Sequence, residues 1–512
     1  MSESSLTTSL ARPPSIHPLR ARALPIETDG EAMIFMHQAC PVARSEGFRA
    51  RARVELVTRG KTLLATLYRA TDELLADDEI GIPYRLLERL SINDGDIVAV
   101  RHPQPLSSLS DVRAKLYGHR LNGKRLQRII SDIAEGYYSD VDIAAFISGF
   151  AAQPSQIEET VALTRAMLAA GDRLEWSAER VMDKHCVGGL PGNRTTPIVV
   201  SIVAAAGLTM PKTSSRAITS PAGTADAMET MAPVALDLPA MQSVVEREGG
   251  CIVWGGSVNL SPADDVLIRI ERALDIDSDA QLVASVLSKK LAAGSTHVLL
   301  DLPVGPTAKI RTARDGDALA ELLTMVAREC GLQASTIQTD GTQPVGRGIG
   351  PALEARDVLA VLANHADAPR DLRERALTLA AGILELNGST RSDAFDLATK
   401  LLAEGRAEAK FLAICEAQGG FRKPGRAPQE REFVSEHAGR ITAFDNRRLA
   451  RIAKLAGAPQ RATAGITLHV RTGDLVEKNQ PLFTIHGESV GELDYAFAFA
   501  SRNSDIIRLE AQ

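Results

Sequence analysis

Residues 183–197 read DKHCVGGLPGNRTTP. A lysine and a histidine stand beside a glycine-rich turn, and a proline-marked step leads into the apolar run TPIVVSIVAAAGL at 196–208. Arg180-Val181-Met182 reads as the end of a strand that delivers Asp183, Lys184 and His185. Gly188, Gly189, Pro191 and Gly192 then make a tight turn, with Thr196 as the N-cap of a buried helix and Pro197 in its first turn. A strand, a glycine turn and a helix start aim free backbone N–H groups at an anion, and Lys184 adds a full positive charge. The spacing is not that of a Walker loop, which needs four residues between its glycines and then Gly-Lys-Ser/Thr. Taken alone, the turn fits a structural loop as well as an anion site.

Two further segments carry the same chemistry. PKTSSRAITSPAGTADAMETMA at 211–232 packs Thr213, Ser214, Ser215, Thr219, Ser220 and Thr224 around Arg216 and Gly223. Hydroxyls, an arginine and backbone amides all donate hydrogen bonds, which suits phosphate oxygens. The bland alternative is a polar loop capping a helix that begins near Ala225, with Asp226 in its first turn. IRIERALDIDSDAQLVASVLSKKLAAGS at 268–295 places Ser285 and Lys289 one helical turn apart, hence on one face, with Asp275 and Asp277 at the helix entry. Lys290 reads as an exposed polar position of an amphipathic helix.

The elements that must position these groups alternate in period along the chain. Residues 1–28 are rich in Ser, Pro and Arg and read as a loose leader. Residues 29–105 hold short β-type runs, among them ARVELVTRG, KTLLATLYRA and INDGDIVAV, and predict a small β-rich, barrel-like domain. Residues 106–176 turn to three- and four-residue steps and predict three or four helices ending near Gly171, with Ser139 and Ser155 as N-caps. From 177 to 428 strands such as CIVWGG and HVLLDLPVG alternate with Ala/Leu-rich helical stretches, the mark of an α/β domain with a mixed or parallel sheet. Residues 429–512 turn β-rich again, with GITLHVRTGDLVEKNQPLFTIHG read as two strands around a Thr-Gly-Asp turn.

Composition bounds the function. A chain of 512 residues exceeds one compact core and predicts two to four domains. Hydrophobic residues make up 45% and charged residues 24%, as in a globular enzyme. The net charge of −6 and the lack of a long basic run argue against nucleic-acid binding. The five cysteines are scattered and lack CxxC spacing, so neither a disulfide framework nor a structural zinc site is expected. No apolar run reaches the roughly 18 residues of a membrane span, and no signal peptide is evident near the start. The expectation is a cytoplasmic protein without membrane, nucleic-acid or metal partners.

Taken in order, KHxxGG, SSRAITSxAGTAD, ASVLxKKLAxG and TDGxQPxGRGIGPALEA (339–355) resemble the thymidine phosphorylase family of nucleoside and nucleotide phosphorylases over roughly residues 30–510. The β-rich domain before the helices and the wording PKTSSRAITS resemble the long branch, which includes AMP phosphorylases and a second subtype of bacterial thymidine phosphorylases. The resemblance implies a helical lobe and an α/β lobe of the nucleoside phosphorylase/phosphoribosyltransferase type, a C-terminal α/β-hammerhead domain and a homodimer or higher homo-oligomer.

The reaction implied is phosphorolysis, in which phosphate attacks the anomeric carbon and the base leaves. Phosphate is then a co-substrate, and no cofactor is needed. By the resemblance, Lys184, Thr196, Ser214 and Thr224 hold phosphate, and Gly189 lets the backbone approach. Ser215, Arg216, Ala217, Ile218, Thr219, Ser220, Ser285, Lys289 and Lys309 line the nucleoside or nucleotide site. Asp277 protonates the leaving base, and His185 lies beside sugar and base. Cys186 stands where shorter pyrimidine enzymes carry a serine, and a thiol is the poorer donor. Ile270 stands where those enzymes read the base with an arginine, while Arg269 and Arg272 lie out of register. That loss, about 1.5–3 kcal/mol for a charge-assisted hydrogen bond, favours a broader or a nucleotide substrate. A nucleotide would need a second anion site, for which Arg216 with Thr219 and Ser220, or Lys309, are the candidates. Anthranilate phosphoribosyltransferase shares the two-lobe fold, but its acidic metal-binding pair is not found here. A carrier built on the C-terminal module, with Lys478 near its hairpin tip, leaves the central motifs unexplained.

Overall fold

The computed structural model describes residues 17–28, 31–58, 60–71, 73–154, 156–217, 220–276 and 278–510. They divide into two compact units. One runs to Arg113 and takes in Asp132–Ile143; the other holds 114–131 and everything from Ala144 onward.

In the first unit, six strands close into a barrel: His17–Leu24, Met33–His37, Arg53–Val57, Thr62–Ala70, Glu79–Pro83 and Ile97–Arg101. The first strand closes it, running parallel to Glu79–Pro83 on one side and antiparallel to Ile97–Arg101 on the other. Alternate residues fill the interior, with Leu19, Ala21, Ile34, Met36, Val54, Leu56, Val98 and Val100 all buried. This corrects the leader expected over 1–28, because HPLRARAL alternates apolar and polar residues and buries Leu19, Ala21 and Leu24. Residues 1–16 lie outside the described residues.

Four helices follow, Ser108–Leu116, Gly123–Ala134, Asp140–Ala151 and Ile157–Ala169. Ser139 starts the third as expected, and its hydroxyl is bonded to both the backbone N–H and the carboxylate of Asp142. Ser155 lies outside the described residues; Gln156 stands at the N-cap of the fourth helix. That helix packs Val161 against Val283, Val286 and Leu287 of the helix Asp279–Ala292.

The sheet that carries the site is parallel. Gln333–Asp340, His297–Val304 and Met182–Cys186 lie side by side in that order, and Met210–Ser214 pairs in parallel with Gly250–Trp254. A single parallel bridge, Val181 to Thr209, joins the two sets. The central strand HVLLDLPV is buried along nearly its whole length, as a strand covered on both faces must be. The helix Thr196–Ala205 is buried from Thr196 through Ala204. Its N-cap is Thr195, one residue before the expected Thr196.

The C-terminal residues form two antiparallel sheets with two helices, Asn446–Leu455 and Val490–Arg502. Gly465–Leu468 and Pro481–Gly487 pair antiparallel around the RTGD segment as expected, and the connection between them also sends Leu475–Val476 into the other sheet. The short strand Gly348–Ile349 from the α/β segment joins the four-stranded sheet by pairing with Gly465–Leu468.

Candidate active site

The carboxyl ends of parallel strands are where an open α/β sheet leaves room for a ligand. Asp183, Lys184, His185 and Cys186 lie on the strand Met182–Cys186 itself rather than after it. Their alternation sends Lys184 into the protein, 1% exposed, where Nζ donates to Thr195 Oγ1 at 2.6 Å. Burial lowers the Lys184 pKa, and the nearby Asp301 carboxylate works against that shift. Asp301, opposite Cys186 on the central strand, accepts from Thr339 Oγ1 at 2.6 Å. Among the described residues its other oxygen is buried with no well-formed hydrogen bond, and the carboxylate helps keep the Cys186 thiol protonated.

Asp183 anchors the opposite side. Its carboxylate lies 3.0 Å from Lys212 Nζ and 2.7 Å from Lys290 Nζ, and it accepts from Ser295 Oγ at 3.3 Å. Burial alone would raise this carboxyl, but the two ammonium groups hold it below its usual value. Lys290 is thus a buried ion-pair partner, 2% exposed, and not the solvated helix position expected. A helix surface pattern cannot reveal a strand carboxylate packed underneath. His185 is held neutral, its pKa far below the ordinary value through burial and then the charges of Lys290, Lys212, Lys289 and Lys184. Burial pushes the Cys186 thiol up to about 12, and its sulfur accepts from Asn193 Nδ2 at 3.4 Å. It is therefore a neutral thiol at physiological pH.

The turn needs its glycines for close approach. Gly189 has φ +81°, and a Cβ there would lie 2.4 Å from the Lys309 backbone nitrogen. The chain that the missing side chain admits is thus the 305–309 loop, which sets Lys309 beside the turn. At Gly192, φ is +70°, and a Cβ would lie 2.1 Å from the Val345 carbonyl oxygen. That carbonyl accepts from the Asn193 N–H at 3.0 Å.

Across the turn, Thr224 begins the helix Thr224–Glu229 and accepts from Arg194 Nη1 at 2.7 Å. Arg194 also pairs with Glu354. Ser214 ends its strand, and its hydroxyl donates weakly to the Ser215 carbonyl at 3.5 Å. Asp226 ties the intervening loop by accepting from the N–H groups of Ala217 at 2.6 Å and Gly223 at 2.8 Å. Arg216 is engaged on the protein: Nη2 donates to Glu229 at 2.9 Å, and the guanidinium stacks 5.0 Å from the Trp254 ring centre. Ser220 donates to the Ala222 carbonyl at 3.0 Å. Ile218, Thr219 and Asp277 lie outside the described residues.

Ser285 and Lys289 share one face of Asp279–Ala292, both half-buried, and Lys289 is ion-paired with the buried Asp264. Burial would lower Lys289, but Asp264 outweighs it and raises the ammonium pKa. Ile270 is buried on the helix Pro262–Leu274, whereas Arg269 and Arg272 are exposed there. Asp275 is exposed and ends that helix with a left-handed backbone.

The reading from sequence missed Arg194, Thr195, Lys212, Asp301 and Glu354. Arg194 and Thr195 sit inside the quoted GNRTT, but only the fold decides which of two adjacent threonines meets the lysine. The assembled site offers buried cations, hydroxyls and a neutral imidazole around one turn, an arrangement suited to an oxyanion beside a polar organic group. Among the described residues, no group of three or more His, Cys, Asp or Glu is placed to hold a metal.

Comparison with known proteins agrees with this architecture. Residues 112–171 match the "Glycosyl transferase family, helical bundle domain", residues 178–408 the "Glycosyl transferase family, a/b domain", and residues 440–506 the "Pyrimidine nucleoside phosphorylase C-terminal domain". A protein of Polaromonas sp. named "Putative thymidine phosphorylase" is 56% identical over 494 residues, covering 96% of this chain and 97% of its own. One of the same name from Chelativorans sp. is 54% identical over 508 residues, covering 98% and 100%. Among solved structures, anthranilate phosphoribosyltransferase from Thermus thermophilus superposes with a TM-score of 0.50 at 17% identity, over 60% of this chain and 98% of its own. That last likeness concerns the fold alone. On the near-full-length identity and the three matched domains, this chain belongs to the thymidine phosphorylase family of pentosyltransferases.

Proposed function

We propose that the protein catalyses phosphorolysis of an N-glycosidic bond in a nucleoside. A phosphate oxygen attacks the anomeric carbon, the C–N bond breaks with its electron pair going to the base, and the base takes up a proton. The products are pentose 1-phosphate and free base. The observation that carries this reading is the buried Lys184–Thr195 pair facing the turn, with Thr224 held by Arg194 across it. Such a site fixes a phosphate and favours positive charge developing on the sugar opposite it, so positioning and electrostatics supply most of the rate. Neutral His185 can hydrogen-bond sugar or base without adding charge, and Ser285 and Lys289 offer a hydroxyl and an ammonium to the base carbonyls. Asp277 is the proposed proton donor. Phosphate serves as co-substrate, no cofactor enters, and the C-terminal module is read as the hammerhead domain of a homodimeric enzyme.

A second reading, a nucleoside 5′-monophosphate as substrate, is favoured by Ile270, whose buried side chain cannot read a base. Arg216 is held by Glu229 and Asp226, and Lys309, set beside the turn by the close approach at Gly189, is the other candidate for the 5′-phosphate. Phosphorus NMR of the reaction with a nucleoside tests the reaction class. A pentose 1-phosphate resonance that grows as inorganic phosphate declines supports phosphorolysis; free pentose with unchanged phosphate would make the enzyme a hydrolase.

A further inference from the structure

In the phosphorolysis reading Arg194 holds Thr224, and how that contact acts on the phosphate follows from its hydrogen bonds. The Arg194 side chain is 12% exposed. Nε donates to Glu354 Oε2 at 2.7 Å, Nη1 to Thr224 Oγ1 at 2.7 Å and Nη2 to the Ala222 carbonyl at 2.9 Å. Glu354 is itself fixed in the first turn of the helix Pro351–Leu362, where its second oxygen accepts from the Gly350 N–H at 3.1 Å. One guanidinium therefore ties the glycine turn to the starts of two helices.

Hydrogen-bond valence gives this contact a consequence. A guanidinium only donates, so Thr224 Oγ1 is the acceptor in that bond and its own proton points elsewhere. Lys184 Nζ is also donor-only, and it imposes the same polarity on Thr195. Neither hydroxyl proton has a protein acceptor among the described residues. Two hydroxyl donors, each backed by a cation, suit an anion with several oxygens.

We propose that Arg194 is a positioning residue of the phosphate site: locked by Glu354, it sets Thr224 as a hydroxyl donor to the phosphate nucleophile, as Lys184 sets Thr195. This rests on the phosphorolysis reading for the role of the anion. Glu354 keeps the guanidinium on the protein, so the phosphate meets an oriented hydroxyl and not the arginine itself.

The test uses the full chain and inorganic phosphate alone, read as the rise in melting temperature against phosphate concentration, followed by steady-state kinetics. Arg194→Met and Thr224→Val are each expected to weaken phosphate binding by about tenfold or more, with the nucleoside KM within about twofold of wild type. The double variant is expected to be little worse than either single one, since both remove the same oriented donor. If Arg194→Met does not fold, Arg194→Lys replaces it; one ammonium cannot span three partners, and the same selective loss is expected. Full retention of phosphate affinity in the folded arginine variant, or losses that add in the double variant, would overturn the proposal. A wild-type protein whose phosphate binding depends on Arg194 but which releases no base from any nucleoside would remove the phosphorolysis reading and leave Arg194 as a positioning residue of an anion site.

Discussion

At the scale of single residues, the site works through charges kept out of water and matched one by one. Lys184 is the clearest case, because among the described residues its ammonium donates to Thr195 alone while Asp301 sustains its charge. Replacing it with glutamine is predicted to lower kcat/KM for phosphate by about 10- to 150-fold, the equivalent of one charge-assisted hydrogen bond of about 1.5–3 kcal/mol. Steady-state kinetics with phosphate varied would show it; an unchanged value would contradict the role given to this lysine. Glu354 makes a pH prediction. Burial pushes its carboxyl up to about 7, although Arg194 and the Gly350 N–H pull the other way. A carboxyl raised in the folded state contributes stability that is full below its unfolded value near 4.5 and lost as the pH rises through about 7. Urea midpoints of wild type and Glu354→Gln should therefore move in the variant's favour between about pH 5 and pH 8. A constant difference would place the carboxyl elsewhere. Most of the lysines, threonines and serines of the site were legible in the sequence because their motifs are contiguous. Arg194, Asp301 and Glu354 were not, because their partners lie on other elements and only packing brings them together.

At the scale of elements, the parallel strands and the turn between Cys186 and Thr196 do the positioning. The order of strand, turn and helix was legible, since glycines, a proline and an apolar run mark it. The one-residue shift of the N-cap from Thr196 to Thr195 was not, because two adjacent threonines satisfy the same local rule. Nor was the burial of Lys290, which depends on the facing strand. Gly192 tests the turn. A left-handed backbone costs a non-glycine residue about 1–3 kcal/mol, and a methyl group there would also meet the Val345 carbonyl at 2.1 Å. Gly192→Ala is predicted to lower the melting temperature and to raise the phosphate KM together. An alanine variant with wild-type melting and wild-type phosphate KM would show that the turn tolerates another shape.

At the scale of the molecule, the site depends on residues far along the chain. Arg471, in the C-terminal segment, donates to the carbonyl of Pro344 at 3.0 Å and to that of Gly346, and it lies 3.1 Å from Asp371. Val345 between them makes the bridge to Gly192. Arg471→Met is predicted to reduce kcat/KM for phosphate by about tenfold through loosening of the turn, although it lies outside the site. Unchanged kinetics would mean the turn keeps its shape without that clamp. The broad succession of β-rich, helical, α/β and β-rich segments was legible from changes of period. The first barrel strand was missed because its composition resembles a leader, and the crossing of Gly348–Ile349 into the C-terminal sheet was missed because two residues leave no periodic trace. The net charge of −6 also conceals four lysines gathered around His185. The most direct test of the central claim is phosphate-dependent release of free base from thymidine, uridine, AMP, CMP and UMP in parallel, with Lys184→Ala as control. Release that requires phosphate and is lost in the control is the predicted result, and the substrates consumed would separate nucleosides from nucleotides. Release independent of phosphate, or none from any substrate by the folded protein, would contradict it.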